Sequence, residues 1–267
     1  MNALVLPAEG PTDGGGFTPP GIGEAGLPGA WFHWDGITRY QVLVVLSVVI
    51  IAVFFLLAAR KGKLVPGRLQ FAGEAAYGFV RNSIAKDVIG GKDFIKFVPV
   101  LFTLFFFILI NNIYGAIPFF ELPTFSHVGG AYALAALVYI LWIAVGIKRN
   151  GIRYLKLAVV PSGVPWPLLF LLVPIEIISN FIVRPMTHSL RLFATMLAGH
   201  LIVLIAGYSV HFLIDQENVL VKGTSILVVA GFAAMYMLEA LIMVLQAYVF
   251  TLLTAIYIEG ALHADSH

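Results

Sequence analysis

No cysteine occurs in the 267 residues, which removes disulfide frameworks, thiolate metal sites and thiol nucleophiles. Charge is almost as scarce, at 11% of the chain against 60% hydrophobic residues. A soluble domain of this length cannot hide so much apolar surface, so the composition is that of a polytopic membrane protein. There is no phosphate-binding loop, no glycine-rich dinucleotide turn and no metalloprotease helix motif, and the acidic residues show no metal-ligand spacing. The sequence therefore predicts no cofactor, no metal and no nucleic-acid partner. Any nucleotide chemistry linked to this chain must happen on another protein.

What is present is best taken in order. Residues 1–36 hold nine Gly and five Pro and no Lys or Arg, so 1–37 reads as a flexible tail. It lacks the basic segment that opens a signal peptide, and no cleavage is expected. Trp31, Phe32 and Trp34 suit an interfacial anchor. One membrane domain then covers 38–260, with spans at 38–59, 97–117 and 131–147 and two much longer apolar runs, 166–213 and 224–258. Asn111 and Asn112, near the end of the second span, read as formers of inter-helix hydrogen bonds. Between the first two spans, 68–90 alternates apolar positions with Glu74, Arg81 and Lys86. That is the pattern of an amphipathic helix on the membrane surface, or of one packed on a partner. A loop at 118–130 carries Glu121 and His127, and a short tail, 261–267, ends the chain.

Twelve of the sixteen Lys and Arg fall within 60–96 and 148–156. The positive-inside rule puts both stretches in the cytoplasm and the N-terminus outside. The run 224–258 would be roughly 52 Å long as a helix, more than a bilayer needs, so a steep tilt is expected. The run 166–213 reads either as one long helix or as two spans broken at Arg184 and Pro185.

The few polar residues in these two runs are the functional candidates. Arg191 lies inside an apolar helical pattern, where a charge costs about 2.5–3.5 kcal/mol on insertion scales. Folding the runs into an antiparallel hairpin turning near 215–223 sets Arg191 level with Gln246, His200 with Glu239, and Glu176 with Glu259. Helical spacing gathers Arg184, His188, Arg191 and Thr195 on one stripe and turns His200 away from it. On the other helix Glu239, Met243, Gln246, Phe250, Leu253 and Tyr257 form a stripe. Ala194, Ala198 and Gly199 leave room for a close neighbour. A His and a Glu at one depth can exchange a proton near physiological pH. Arg191 cannot release its own. It is suited instead to be a fixed charge between two separate wet half-paths.

Three segments, KFVPVLFTLFFFILINNIYGAIP (96–118), IEIISNFIVRPMTHSLRLFATMLAGHL (175–201) and LIMVLQAYVFTLLTAIYI (241–258), closely resemble subunit a of the bacterial F-type ATP synthase. The likeness covers roughly 38–260. It implies an all-α membrane protein of about five membrane helices plus a surface helix, the last two long, tilted and paired as a hairpin. It implies that Arg191 is the essential arginine, Gln246 its support, His200 and Glu239 the proton-path pair, and Glu176 a cytoplasmic-side glutamate. His188, Thr195, Glu259 and Tyr257 are accessory candidates. Thr195 stands where the family usually has Asn, and His188 where a small residue is common. The implied partners are the c-ring, the peripheral-stalk b subunits, protons and membrane lipid, in the bacterial plasma membrane, with the C-terminus cytoplasmic. The implied activity is proton translocation coupled to rotation and ATP synthesis, with no catalytic residue for ATP in this chain. The competing reading is a self-contained proton-coupled secondary transporter. That reading predicts internal repeats and discontinuous helices, and no repeat is visible between the halves.

Overall fold

The computed structural model describes residues 39–60, 67–91, 93–117, 124, 128–151, 153–154, 159, 166–214 and 219–263. The expected tail at 1–37, Glu121, His127, the hairpin turn at 215–218 and the last four residues lie outside them. Every regular element among the described residues is helical. Among the described residues five helical segments are long and apolar enough to cross a membrane. The chain is an all-α, multi-pass membrane protein.

Helix α1 (Arg39–Ala59) is apolar on all sides and exposes most of them, as a lipid-facing helix does. It touches α2 (Arg68–Phe79) closely because Gly73 has no side chain. A Cβ there would stand 2.8 Å from that of Ala58. From α2 the chain continues without a break into a π-helical segment, Val80–Ile89, which Gly90 ends at φ 63°, a left-handed conformation that costs glycine nothing. Val80, Ile84, Ala85 and Ile89 are buried in the main apolar core. The amphipathic stretch is therefore half an inner helix: its apolar side covers this protein as well as facing outward.

Helix α3 (Phe94–Ile113) contributes Val98, Leu101, Leu104, Phe105 and Ile108 to that core. Near its end Asn111 donates to Ser47 Oγ on α1 at 2.9 Å. Asn112 donates to the Met243 carbonyl of the last helix at 3.2 Å. Both amides join helices, as their place inside an apolar span implies. Helix α4 (Val128–Asn150) stops at Gly151, φ 61°.

The long run after it is helical throughout. Helix α5 (Trp166–Ile178), a π-helical segment (Ser179–Val183) and α6 (Arg184–Ile214) follow one another directly. Arg184 and Pro185 do not split the run into two spans. Proline lacks the N–H that would reach back one turn, and the chain absorbs this with the wider π turn just before it. Helix α7 (Val219–Leu262) returns antiparallel to α6. It buries Met243, Gln246, Ala247, Phe250, Thr251, Thr254, Ala255 and Ile258, spaced at three and four residues, as one buried helix face requires.

Candidate functional site

The α6–α7 pairing is fixed by small and aromatic residues. The His188 and Phe250 rings lie 3.8 Å apart between centroids. Gly199 receives the Glu239 side chain, whose Oε1 sits 3.0 Å from where a glycine Cβ would be. Further along, Gly207 faces Phe232. These contacts set Arg191 of α6 near the level of Gln246 of α7, in the antiparallel register read from the sequence.

The structure separates the polar residues into distinct surroundings. Arg191 is exposed and shares a face with Ala194, Ala198, Ile202 and Ile205. That face is otherwise small or apolar. Gln246 is buried, its Nε2 has no partner, and no hydrogen bond joins it to Arg191. His188 is buried against α7, so the expected stripe of Arg184, His188, Arg191 and Thr195 divides: His188 turns inward while Arg191 stays outside. The cause is the hundred-degree step of the helix, which lets neighbours three apart fall on either side of a packing boundary. Thr195 donates its hydroxyl to the Arg191 carbonyl at 2.6 Å, which ties it to its own helix.

Glu239 is buried and its Oε1 has no hydrogen-bond partner. It lies one turn along α7 from Met243, whose carbonyl Asn112 holds. His200 follows Gly199 on α6, at the level of Glu239; its side chain is outside the described part. Glu176 accepts from Asn180 at 2.9 Å, and Glu259 pairs with His263 Nδ1 at 3.2 Å. The two glutamates are each held within their own helical run, and no hydrogen bond connects them.

Sequence reasoning missed the surroundings of Arg184. Its guanidinium lies over Trp142, 5.9 Å from the ring centroid, and over Tyr257 at 5.7 Å. Such arrangements attract a cation to the ring faces, and here they tie α4, α6 and α7 together. In the sequence Tyr257 is visible as part of the stripe on the last helix, and Trp142 only as an aromatic residue near a span end, a signal that ordinarily means interface. Outside the spans, the Asp93 carboxyl is held below its ordinary value by a hydrogen bond from Lys96 at 2.7 Å and by that cation's charge. Among the described residues no group of three or more His, Asp or Glu side chains is arranged to hold a metal ion.

Comparison with known proteins supplies the family. The model described as "ATP synthase A chain" matches residues 41–259. The chain belongs to the ATP synthase A chain family. A protein named ATP synthase subunit a from Pseudarthrobacter chlorophenolicus is 72% identical over the whole of both chains. One of the same name from Nocardioides sp. is 48% identical over 96% of each chain. Another, from Streptomyces lividans, is 36% identical over 96% of this chain and 91% of its own. Membership in the ATP synthase A chain family thus extends across the α1–α7 framework that carries Arg191 and Glu239.

Proposed function

We propose that this chain is the proton-translocating stator subunit of an F-type ATP synthase, forming two offset aqueous half-channels against a rotating c-ring. The observation that carries the reading is Arg191: one permanent cation, exposed on a small and apolar face of a membrane helix. Such a charge needs an anionic partner from outside the chain, and a carboxylate carried past it by a ring of subunits meets that need. The small side chains of Ala194 and Ala198 let that ring approach closely.

Protons enter from the outside through a path containing Glu239 and His200 and neutralise the ring carboxylate. The ring carries the neutral acid through lipid, and the proton leaves by a second path on the cytoplasmic side, near Glu176. Arg191 holds no exchangeable proton at biological pH, so it separates the two paths, and Gln246 supports it from α7. The peripheral-stalk b subunits hold this chain against rotation. Its N-terminus lies outside and its C-terminus in the cytoplasm, and ATP chemistry takes place in the soluble head. Family membership supports this reading over a self-contained transporter.

The test is ATP-driven proton pumping in inverted vesicles carrying Arg191→Ala, with assembly of the complex verified. Loss of pumping with a passive proton leak is the expected result. Near-normal pumping would show that Arg191 merely snorkels, and the mechanism would fall.

A further inference from the structure

Among the described residues no ion pair reaches Glu176, and the cation two turns on, Arg184, lies over the rings of Trp142 and Tyr257. Yet Glu176 is half-buried in an apolar membrane helix, where a carboxylate needs a partner. The partner is a neutral amide: Asn180 Nδ2 donates to Glu176 Oε2 at 2.9 Å.

Four residues of helix set 176 and 180 on one face. Asn180 lies in the π-helical segment Ser179–Val183 and is only 5% exposed. Phe181, the next residue, meets Tyr139 of α4 edge-on at 6.4 Å, which docks this wide turn against α4. Close packing leaves a buried side chain little freedom, so the amide is the fixed anchor and the partly exposed carboxylate is what it holds. Elsewhere the buried amides of this chain join helices: Asn111 bonds Ser47, and Asn112 the Met243 carbonyl. The Asn180 amide nitrogen serves a carboxylate of its own run instead.

We propose that Asn180 is a positioning residue of the cytoplasmic half-path, holding the Glu176 carboxylate at the station where it takes up and releases protons. A cation in its place would favour the charged carboxylate alone. An amide adds no charge and donates only through its N–H, so it fixes the carboxylate and leaves the proton to Glu176. The inference rests on the role given to Glu176 above.

The test compares Asn180→Leu, which keeps the size but has no donor, with Asn180→Gln, which keeps the amide on a longer arm. Both are measured as ATP-driven pumping by assembled complexes in inverted vesicles, beside Glu176→Gln. Pumping by Asn180→Leu is expected to fall roughly tenfold, the factor that one hydrogen bond to a charged group supplies, and Asn180→Gln to recover most of it. Normal pumping by Asn180→Leu overturns the proposal, and so does an equal defect in both variants, which would mean that Asn180 only packs. Should Asn180→Leu not assemble, Asn180→Ala removes the same donor without adding bulk. If Glu176→Gln itself pumps normally, it is the role of Glu176 that fails. Infrared spectroscopy gives a readout that packing alone does not move. The carboxyl bands of Glu176, isolated by subtracting the spectrum of the matching Glu176→Gln variant, should shift between the parent and Asn180→Leu. Unchanged bands overturn the proposal whatever the pumping rate.

Discussion

The Glu239 carboxylate fills the space that a side chain at Gly199 would need, its Oε1 lying 3.0 Å and its Cγ 3.2 Å from the position of a Cβ. The absence of a side chain on one helix is thus what seats the acid on the other. His200 follows immediately on α6, so the same close approach brings its backbone to the depth of the acid.

Gly199→Ala should therefore displace Glu239 while leaving the chain folded. Overpacking of this kind costs about 1–3 kcal/mol, spent here at a residue assigned to the outer proton path. The expected outcome is normal assembly with reduced ATP-driven pumping. Pairing it with Glu239→Asp, which is shorter by one methylene, should restore part of the activity. No recovery in the double variant would mean that Gly199 serves something other than Glu239.

Asn112 is fully buried, and its bond to the Met243 carbonyl couples α3 to α7. Asn112→Ala should lower stability by about 1–3 kcal/mol, the range for a buried partner lost. A fall in the thermal midpoint of the detergent-solubilised protein would report it. Asn111→Ala should cost more, because it removes two hydrogen bonds, one to Ser47 Oγ on α1 at 2.9 Å and one to the Phe107 carbonyl at 2.7 Å. Equal losses would contradict this ranking.

These two amides are legible in the amino-acid sequence, because an amide inside an apolar span has few alternatives to bonding another helix. The antiparallel register of α6 and α7 is legible too, because polar residues are so few that their depths align in one way only. The inward turn of His188 is not: three residues of helix leave an angle near a packing boundary, and only the neighbouring helix decides which side it takes. The cage around Arg184 joins residues more than forty positions apart on three helices, and no local pattern announces it. Pro185 is ambiguous for a related reason, since proline permits either a break or a wider turn.

The Arg184 cage yields a coupling prediction. Trp142→Leu and Arg184→Gln should each destabilise the solubilised protein, and together by less than their sum. The shortfall should be about 0.5–1 kcal/mol, the worth of a cation over an aromatic face at an exposed site. Strict additivity in the thermal midpoints would mean that the guanidinium gains nothing from the indole.

Tyr154 offers a test by titration. It is buried, packs edge-on to Trp142 at 6.4 Å, and its ring lies against Gly146, in the space a side chain there would take. Burial pushes its phenol up from 10.0 to about 12, with the Arg184 charge pulling only partly the other way. Because the folded value is above the unfolded one, the folded state holds this proton more tightly. Its contribution to stability is complete below pH 10 and is lost as pH rises from 10 towards about 12. Subtracting the alkaline absorbance titration of Tyr154→Phe from that of the parent protein should isolate one phenol ionising late. The parent should also lose stability relative to the variant across that interval. A difference curve centred near the ordinary tyrosine value would mean that water reaches the Tyr154 hydroxyl, and that the packing of α4 around Gly146 is looser than these contacts require.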